Sequence, residues 1–229
     1  MIAKPAFAIV CALGGSLALA MTAGAARAEV QLWGEAGAGL EVMDDLEATA
    51  EASVRFDENV TRLAGLVPDI GLEYQPWWSL RVGGGYRLSY ERRRRGDLEL
   101  RHRAEFDTRA RHDVGDVRLR HRVRFQSRYR PRDGHTPAVR NRVGVGWRGV
   151  EPWVPRITLE SWHRLGVERE DGEGGGARAF HFHKWRLEAR VRYDFGSRSV
   201  YPFYQLEVSR THADDPPFHI FGLNVFQGF

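Results

Sequence analysis

The chain has one cysteine, Cys11, and none after it. A protein matured past that point has no disulfide, no thiol nucleophile and no thiolate ligand for a metal. Long apolar runs are also missing beyond the first 28 residues. No later stretch holds about 18 consecutive apolar side chains, so no transmembrane helix is encoded there. Nor does either sign of charge dominate: 34 lysines and arginines stand against 30 acids. Removing residues 1–28 takes away Lys4 and Arg27 and no acid, which leaves 32 against 30. The basic pI therefore reflects arginine used in place of lysine and a small surplus, not a polycation, and no nucleic-acid partner is expected.

What is present begins with an export signal. Lys4 supplies a positive start, Ala6 to Ala20 is apolar or small, and Ala26-Arg27-Ala28 places small residues at −3 and −1 of a cleavage site. Residues 1–28 are thus read as a signal peptide and 29–229 as one exported domain. Cys11 lies within the apolar run, with more of it following, so a lipid-attachment reading is not favoured.

The domain is organised around two near copies, Leu100-Arg101-His102-Arg103-Ala104-Glu105-Phe106 and Leu119-Arg120-His121-Arg122-Val123-Arg124-Phe125. In the first, Arg101, Arg103, Glu105, Asp107 and Arg109 share one parity, and Leu98, Leu100, Ala104, Phe106 and Ala110 share the other. In the second, Arg118, Arg120, Arg122 and Arg124 oppose Val117, Leu119, Val123 and Phe125. Period-two alternation of this length is a strand signal, because side chains leave a strand on opposite faces. Reading Arg111 to Asp116 as the turn makes the pair a hairpin, with Glu105 opposite Arg120 or Arg122 and Asp107 opposite Arg118 or Arg120.

The same alternation recurs along the chain. Val30–Glu41, Leu46–Arg55, Ile70–Tyr74, Leu80–Glu91, Arg140–Arg148, Arg156–Val167, Trp185–Asp194, Tyr204–Val208 and His219–Phe229 complete eleven candidate strands. Alanine and glutamate in Leu46–Arg55 also admit a helix. Pro131–Pro137 reads as a polar loop and Glu168–Arg178 as the longest one. The predicted fold is an all-β, antiparallel barrel of 10–12 strands, since bacterial outer-membrane barrels mostly have even counts.

Alternation alone does not say which face is inside. Strands near a dozen residues suit a tilted membrane crossing. Aromatics gather where strands end: Tyr74, Trp77, Trp78, Trp153, Tyr193, Phe195, Tyr201 and Phe203 at one set of turns, Tyr90, Tyr129 and Phe218 at the other. Two such girdles mark a lipid-facing surface. The last strand, with Phe221, Leu223, Val225 and Phe229 on one parity, resembles the signal read by the outer-membrane barrel assembly machinery, although Gln227 stands where an aromatic is usual. The repeated Arg101-His102-Arg103 and Arg120-His121-Arg122, with Gly85-Tyr86-Arg87 and Arg140-Asn141-Arg142, resemble an uncharacterised, domain-of-unknown-function family of bacterial outer-membrane barrels. That resemblance implies location and shape and carries no reaction.

A membrane barrel of this chain is expected to carry a charge ladder inside: Arg101, Arg103, Glu105, Asp107, Arg118, Arg120, Arg122, Arg124, Arg140, Arg142, Glu160, Arg186, Glu188 and Arg190. Such a lumen is either knit shut by ion pairs or a narrow, weakly anion-preferring pore. The alternatives weighed are a soluble periplasmic barrel acting as a binding module and a lipid-modifying hydrolase. Ser161 and His163 share one face, as a Ser/His pair does in the lipid A deacylases, but no third carboxylate accompanies them. His181 and His183 lack a third metal ligand in the sequence, and mid-strand Gly83-Gly84-Gly85 is no phosphate loop. No cofactor and no metal are expected. Outer-membrane lipids are the expected partners, with the Arg92–Arg95 run a candidate contact for lipopolysaccharide phosphates.

Overall fold

Period-two alternation does build strands throughout, and among the described residues of the computed structural model there is no helix. The structure describes residues 29–57, 61–92, 98–131, 134–150, 152–166, 181–209 and 217–228, so the export signal and Phe229 lie outside it. The strands are β1 (Glu29–Met43), β2 (Leu46–Asp57), β3 (Arg62–Trp77), β4 (Leu80–Arg92), β5 (Leu98–Val114) and β6 (Val117–Arg130). They continue as β7 (Gly134–Trp147), β8 (Trp153–Arg164), β9 (His181–Phe195), β10 (Arg198–Ser209) and β11 (Phe218–Gly228). Each pairs antiparallel with its sequence neighbours, and β1 pairs with β11 to close the barrel.

Eleven strands require one departure from the predicted antiparallel sheet. In an up-and-down barrel of odd count the first and last strands run the same way, and β1 and β11 are parallel from Glu29↔Phe218 to Gly39↔Gly228. β2 is a strand and no helix: its backbone is hydrogen-bonded to β1 on one side and β3 on the other, and tertiary pairing overrides the preference of alanine and glutamate. Two loops shrink relative to expectation. β7 already starts at Gly134, with Pro137 opposite Ser127, and β3 extends well beyond Ile70–Tyr74.

The central hairpin is corrected in register. Its turn is only Gly115-Asp116, with Gly115 at φ +56°, a left-handed conformation that glycine adopts without strain. Arg111–Val114 therefore belong to β5, and every partner slides along β6. Glu105 faces Gln126, Asp107 faces Arg124 and Arg118 faces Asp113. Glu105 is thus opposite neither Arg120 nor Arg122, and Asp107 opposite neither Arg118 nor Arg120.

The barrel has a short-turn end and a long-loop end. Asp44-Asp45, Trp78-Ser79, Gly115-Asp116, 148–152 and Gly196-Ser197 connect strands at the end where β11 finishes. Its outer rim carries Trp77, Trp78, Trp153 and Phe195, all exposed. At the other end β1 and β11 both begin. Polarity is inverted relative to a water-soluble protein. Arg103, Asp107, Arg124, Gln126, Glu160, Glu188 and Gln205 are buried, whereas Ile70 is 62% and Ile157 61% exposed. Phe106, Leu72, Val143 and Leu159 are likewise on the outer face.

The closing seam is where backbone geometry is most demanding. Gly222 lies opposite Trp33 on β1 and Phe203 on β10. A Cβ there would stand 2.1 Å from Phe203 Cζ and 2.8 Å from the Trp33 carbonyl oxygen. Gly222→Val is expected to destabilise the barrel by about 1–3 kcal/mol, the usual penalty of overpacking. The measurement is the urea midpoint of detergent-folded protein; an unchanged midpoint would show that the seam is not tightly packed.

The charged barrel interior as candidate functional site

Strand parity delivers one residue in two to the interior, and the interior encloses a cavity of about 480 Å³. Its walls differ in charge. β1, β2 and β3 present Glu35, Glu51, Asp69 and Glu73, while β5 to β9 present Arg103, Arg122, Arg124, Arg140, Arg186 and Arg190, with others beside them. All fourteen residues of the sequence-derived ladder fall on the inner parity of β5 to β9. They are not equivalent. Arg118 is tied to Asp113 at 2.7 Å near the short-turn end, and Arg101 to Glu91 towards the long-loop end.

The middle of the ladder holds two ion-pair networks. Asp107, 4% exposed, accepts from Arg109 at 2.8 Å, Arg122 at 2.5 Å and Arg124 at 3.1 Å. Arg109 reaches across to Glu73 on β3 at 2.6 Å, and Arg124 also engages Glu105. On the opposite arc Glu160 holds Arg140 at 2.7 Å, with Arg142 and Arg186 each at 3.9 Å. Glu188 bridges Arg142 at 3.3 Å and Arg190 at 2.6 Å. Glu207 holds Lys184 at 2.8 Å and also Arg186.

This sharing is needed because the register sets like charges face to face. Arg103 opposes Arg128, Arg109 opposes Arg122, Arg111 opposes Arg120, Arg122 opposes Arg142 and Arg124 opposes Arg140. Directly opposed like charges destabilise a sheet, and the carboxylates relieve them from both facing and diagonal positions. Asp107 and Glu160 each serve three guanidiniums and Glu188 two.

Several interior residues were not singled out from the sequence. Trp162 is buried, with Arg140 3.9 Å, Lys184 4.3 Å and Arg186 4.8 Å from its ring centroid. Trp33 lies under Arg55 at 4.4 Å. Phe203 and Phe218, read as girdle residues, line the cavity instead, and Tyr201 shares their inner parity. The available signal was parity: Trp33 alternates in phase with Gln31 and Glu35, and Trp162 with Glu160 and Arg164. Gly83 and Gly85 also border the cavity, each leaving room beside a β3 carbonyl that a Cβ would approach to 3.1 Å.

Of the remaining candidates, Ser161 shares the parity of the exposed Ile157 and Leu159, whereas His163 and His183, beside the irregularity at Trp162/His163, border a second cavity. His163 Nε2 is 3.3 Å from Ser161 Oγ, and Ser161 faces Asn141, which is itself 2.6 Å from His121. Of the histidines weighed as a metal pair, His183 is engaged by Arg164 at 3.0 Å. Leu223 and Val225 are exposed, and Phe221 stacks on Tyr204 at 5.1 Å, all on the outer wall of β11.

Asp107 is the acid whose loss should matter most. Asp107→Asn removes the shared counter-charge of Arg109, Arg122 and Arg124, and breaking a buried pair in this way costs about 3–5 kcal/mol. Adding Arg122→Gln, which removes one orphaned cation, is expected to restore part of that loss in equilibrium urea unfolding.

Comparisons with known proteins follow the same outline. No curated protein gives a significant sequence match. Among solved structures, a chain described under "Unveiling the Mechanism Behind the in-meso Crystallization of Membrane Proteins" is 10% identical, with a TM-score of 0.43 over 86% of this chain and 80% of that one. The beta domain of the Bordetella autotransporter Brka is 13% identical, with a TM-score of 0.36 over 74% and 79%. With scores this low, the fold assignment stands on the strand pairing above. Sequence comparison is decisive about kinship: residues 30–211 match the family described as "Protein of unknown function (DUF2490)", and the chain belongs to that family.

Proposed function

We propose that this protein is an integral outer-membrane β-barrel that acts as a narrow, passive, anion-preferring channel, without catalysis or cofactor. The inversion of polarity carries the reading. Exposed aliphatic and aromatic side chains cover the outside of a sheet whose inside holds guanidiniums and carboxylates. In water each Å² of that outer surface would cost about 25 cal/mol; in hydrocarbon it is solvated, and a closed sheet leaves no backbone edge unsatisfied. Strands of 11 to 17 residues are long enough to cross. A soluble periplasmic binding barrel would need the opposite arrangement.

Orientation follows from loop length. Short turns and the end of β11 would face the periplasm and the opposite end the cell surface, where Arg92 at the end of β4 would meet lipopolysaccharide; Arg93–Arg95 of that run lie outside the described residues. The parallel seam then sets the start of β1 at the surface end as well. The channel role draws on the 480 Å³ cavity and on the arginine surplus of the β5–β9 wall.

Two measurements test this. The protein is expected to stay with envelope membranes after alkaline carbonate washing and to shift on gels when heated; a processed chain freely soluble without detergent would overturn the membrane assignment. In planar bilayers under a KCl gradient, discrete current steps with a reversal potential displaced towards anions are expected. Silence would leave a sealed structural wall, and cation preference would contradict the role given to the arginines.

The 3.3 Å contact of His163 with Ser161 supports a second reading, a lipid-modifying hydrolase working on the outer face. Val139 on β7 and Phe182 on β9 face His163, and neither is a carboxylate, so the base would lack the usual acidic orienter at the facing positions. Folded protein incubated with lipid A is expected to release no fatty acid; release abolished by Ser161→Ala would favour the hydrolase.

A further inference from the structure

Most guanidiniums inside the barrel have a carboxylate partner; Arg111, Arg120 and Arg156, near the short-turn end, and Arg103 and Arg128, beside the central cavity, have none among the described residues. Across β3 to β6 the register aligns Asp69, Arg87, Arg103 and Arg128 on the inner face. Arg87 is bound to Asp69. Among the described residues neither Arg103 nor Arg128 has a carboxylate within 4 Å, and Arg103 Nε has no hydrogen-bond partner. Arg103 is nevertheless 94% withdrawn from solvent, at 6% relative exposure, and lines the central cavity. The acids nearest the two arginines are turned away: Glu105 engages Arg124, and Glu91 engages Arg101 and, at 3.6 Å, Arg55. Glu51 on β2 continues the row beyond Asp69, at the far end from Arg103 and Arg128. Arg103 and Arg128 are thus two adjacent guanidiniums with no acid in contact in a partly dehydrated space, an arrangement that is costly unless a counter-charge enters.

The location suits a ligand from solution. A second cavity of about 280 Å³ adjoins the row towards the long-loop end, and Arg128, Lys184 and Trp162 border both cavities. An anion arriving from that end would meet Arg128 first and Arg103 next, with the larger cavity beyond to receive the rest of a small molecule. Guanidinium forks match tetrahedral oxyanions through paired N–H donors, and two adjacent forks with no acid in contact match a phosphate better than a halide.

We propose that the row Arg87–Arg103–Arg128 is a binding site for the phosphate group of a small solute, inorganic phosphate or a phosphate monoester. The inference deepens the channel reading and rests on the inner face being reachable from solution.

The test is isothermal titration of the full-length folded protein in detergent at neutral pH and low salt, with inorganic phosphate, glycerol 3-phosphate and chloride as separate titrants. One phosphate per barrel is expected, with Arg103→Gln and Arg128→Gln each weakening it tenfold or more. Arg103→Lys, which keeps charge but not the fork, should fall between, and Arg198→Gln at the short-turn rim should leave binding unchanged. Heat-modifiable migration verifies folding of each variant, and removing an uncompensated charge is expected to preserve it. No binding of phosphate, equal binding of chloride, or affinity indifferent to Arg103→Gln would overturn the site. Preference for glycerol 3-phosphate over phosphate identifies an organic monoester as the ligand; the reverse identifies the free ion. The two readings fail separately: phosphate bound by a barrel that passes no current removes the channel and keeps the site. Anion-selective current with no phosphate affinity does the opposite.

Discussion

Charge neutrality inside a closed wall is the constraint on which the rest of this structure depends. A guanidinium beside a carboxylate is tolerable in a confined space, whereas either group alone is not. The sheet sets arginine against arginine at Arg122↔Arg142 and Arg124↔Arg140, so cohesion has to come from acids on the adjoining strands and at diagonal positions. Asp107, Glu160 and Glu188 supply it, each buried and each shared among several cations. The same constraint locks register, because sliding a strand by one residue would turn its charges to the outside and its leucines to the inside.

Sharing of acids also explains the asymmetry of the interior. Asp107 and Glu160 each touch three arginines, whereas no carboxylate among the described residues touches Arg103. The wall of β1 to β3 carries acids such as Glu51 and Glu35 in place of arginines. A field therefore runs across the cavity and not only along it. The proposed selectivity and the proposed phosphate site would thus share one origin, the uneven distribution of arginine around the barrel.

Interior aromatics give the network its second support. Trp162 presents its face to Arg140, Lys184 and Arg186, which lets three cations approach one another around a π surface as well as around Glu160 and Glu207. Phe203 crosses over Gly222 at the seam, so the parallel closure depends on an aromatic ring inside and a missing side chain opposite it. Both arrangements join residues far apart in the chain, and neither has a local signature beyond parity.

Much of this was legible in the amino-acid order. Alternation in Leu98–Ala110 and Val117–Tyr129 marks strands and divides their faces, since a pleated backbone has no other way to sort charged from apolar residues. The number of such stretches bounds the barrel at ten to twelve strands, and their inner parity names the charged residues. Register was not legible, because it turns on whether the chain reverses over six residues or over the two of Gly115-Asp116. Nor was the seam, because nothing local to β1 tells it to run alongside β11. By itself, then, the sequence determined which side chains share a face, a property of adjacent residues and a period of two. Only the tertiary structure decided which charges meet and which are left over, because that depends on how each strand is offset from its neighbours around a closed ring.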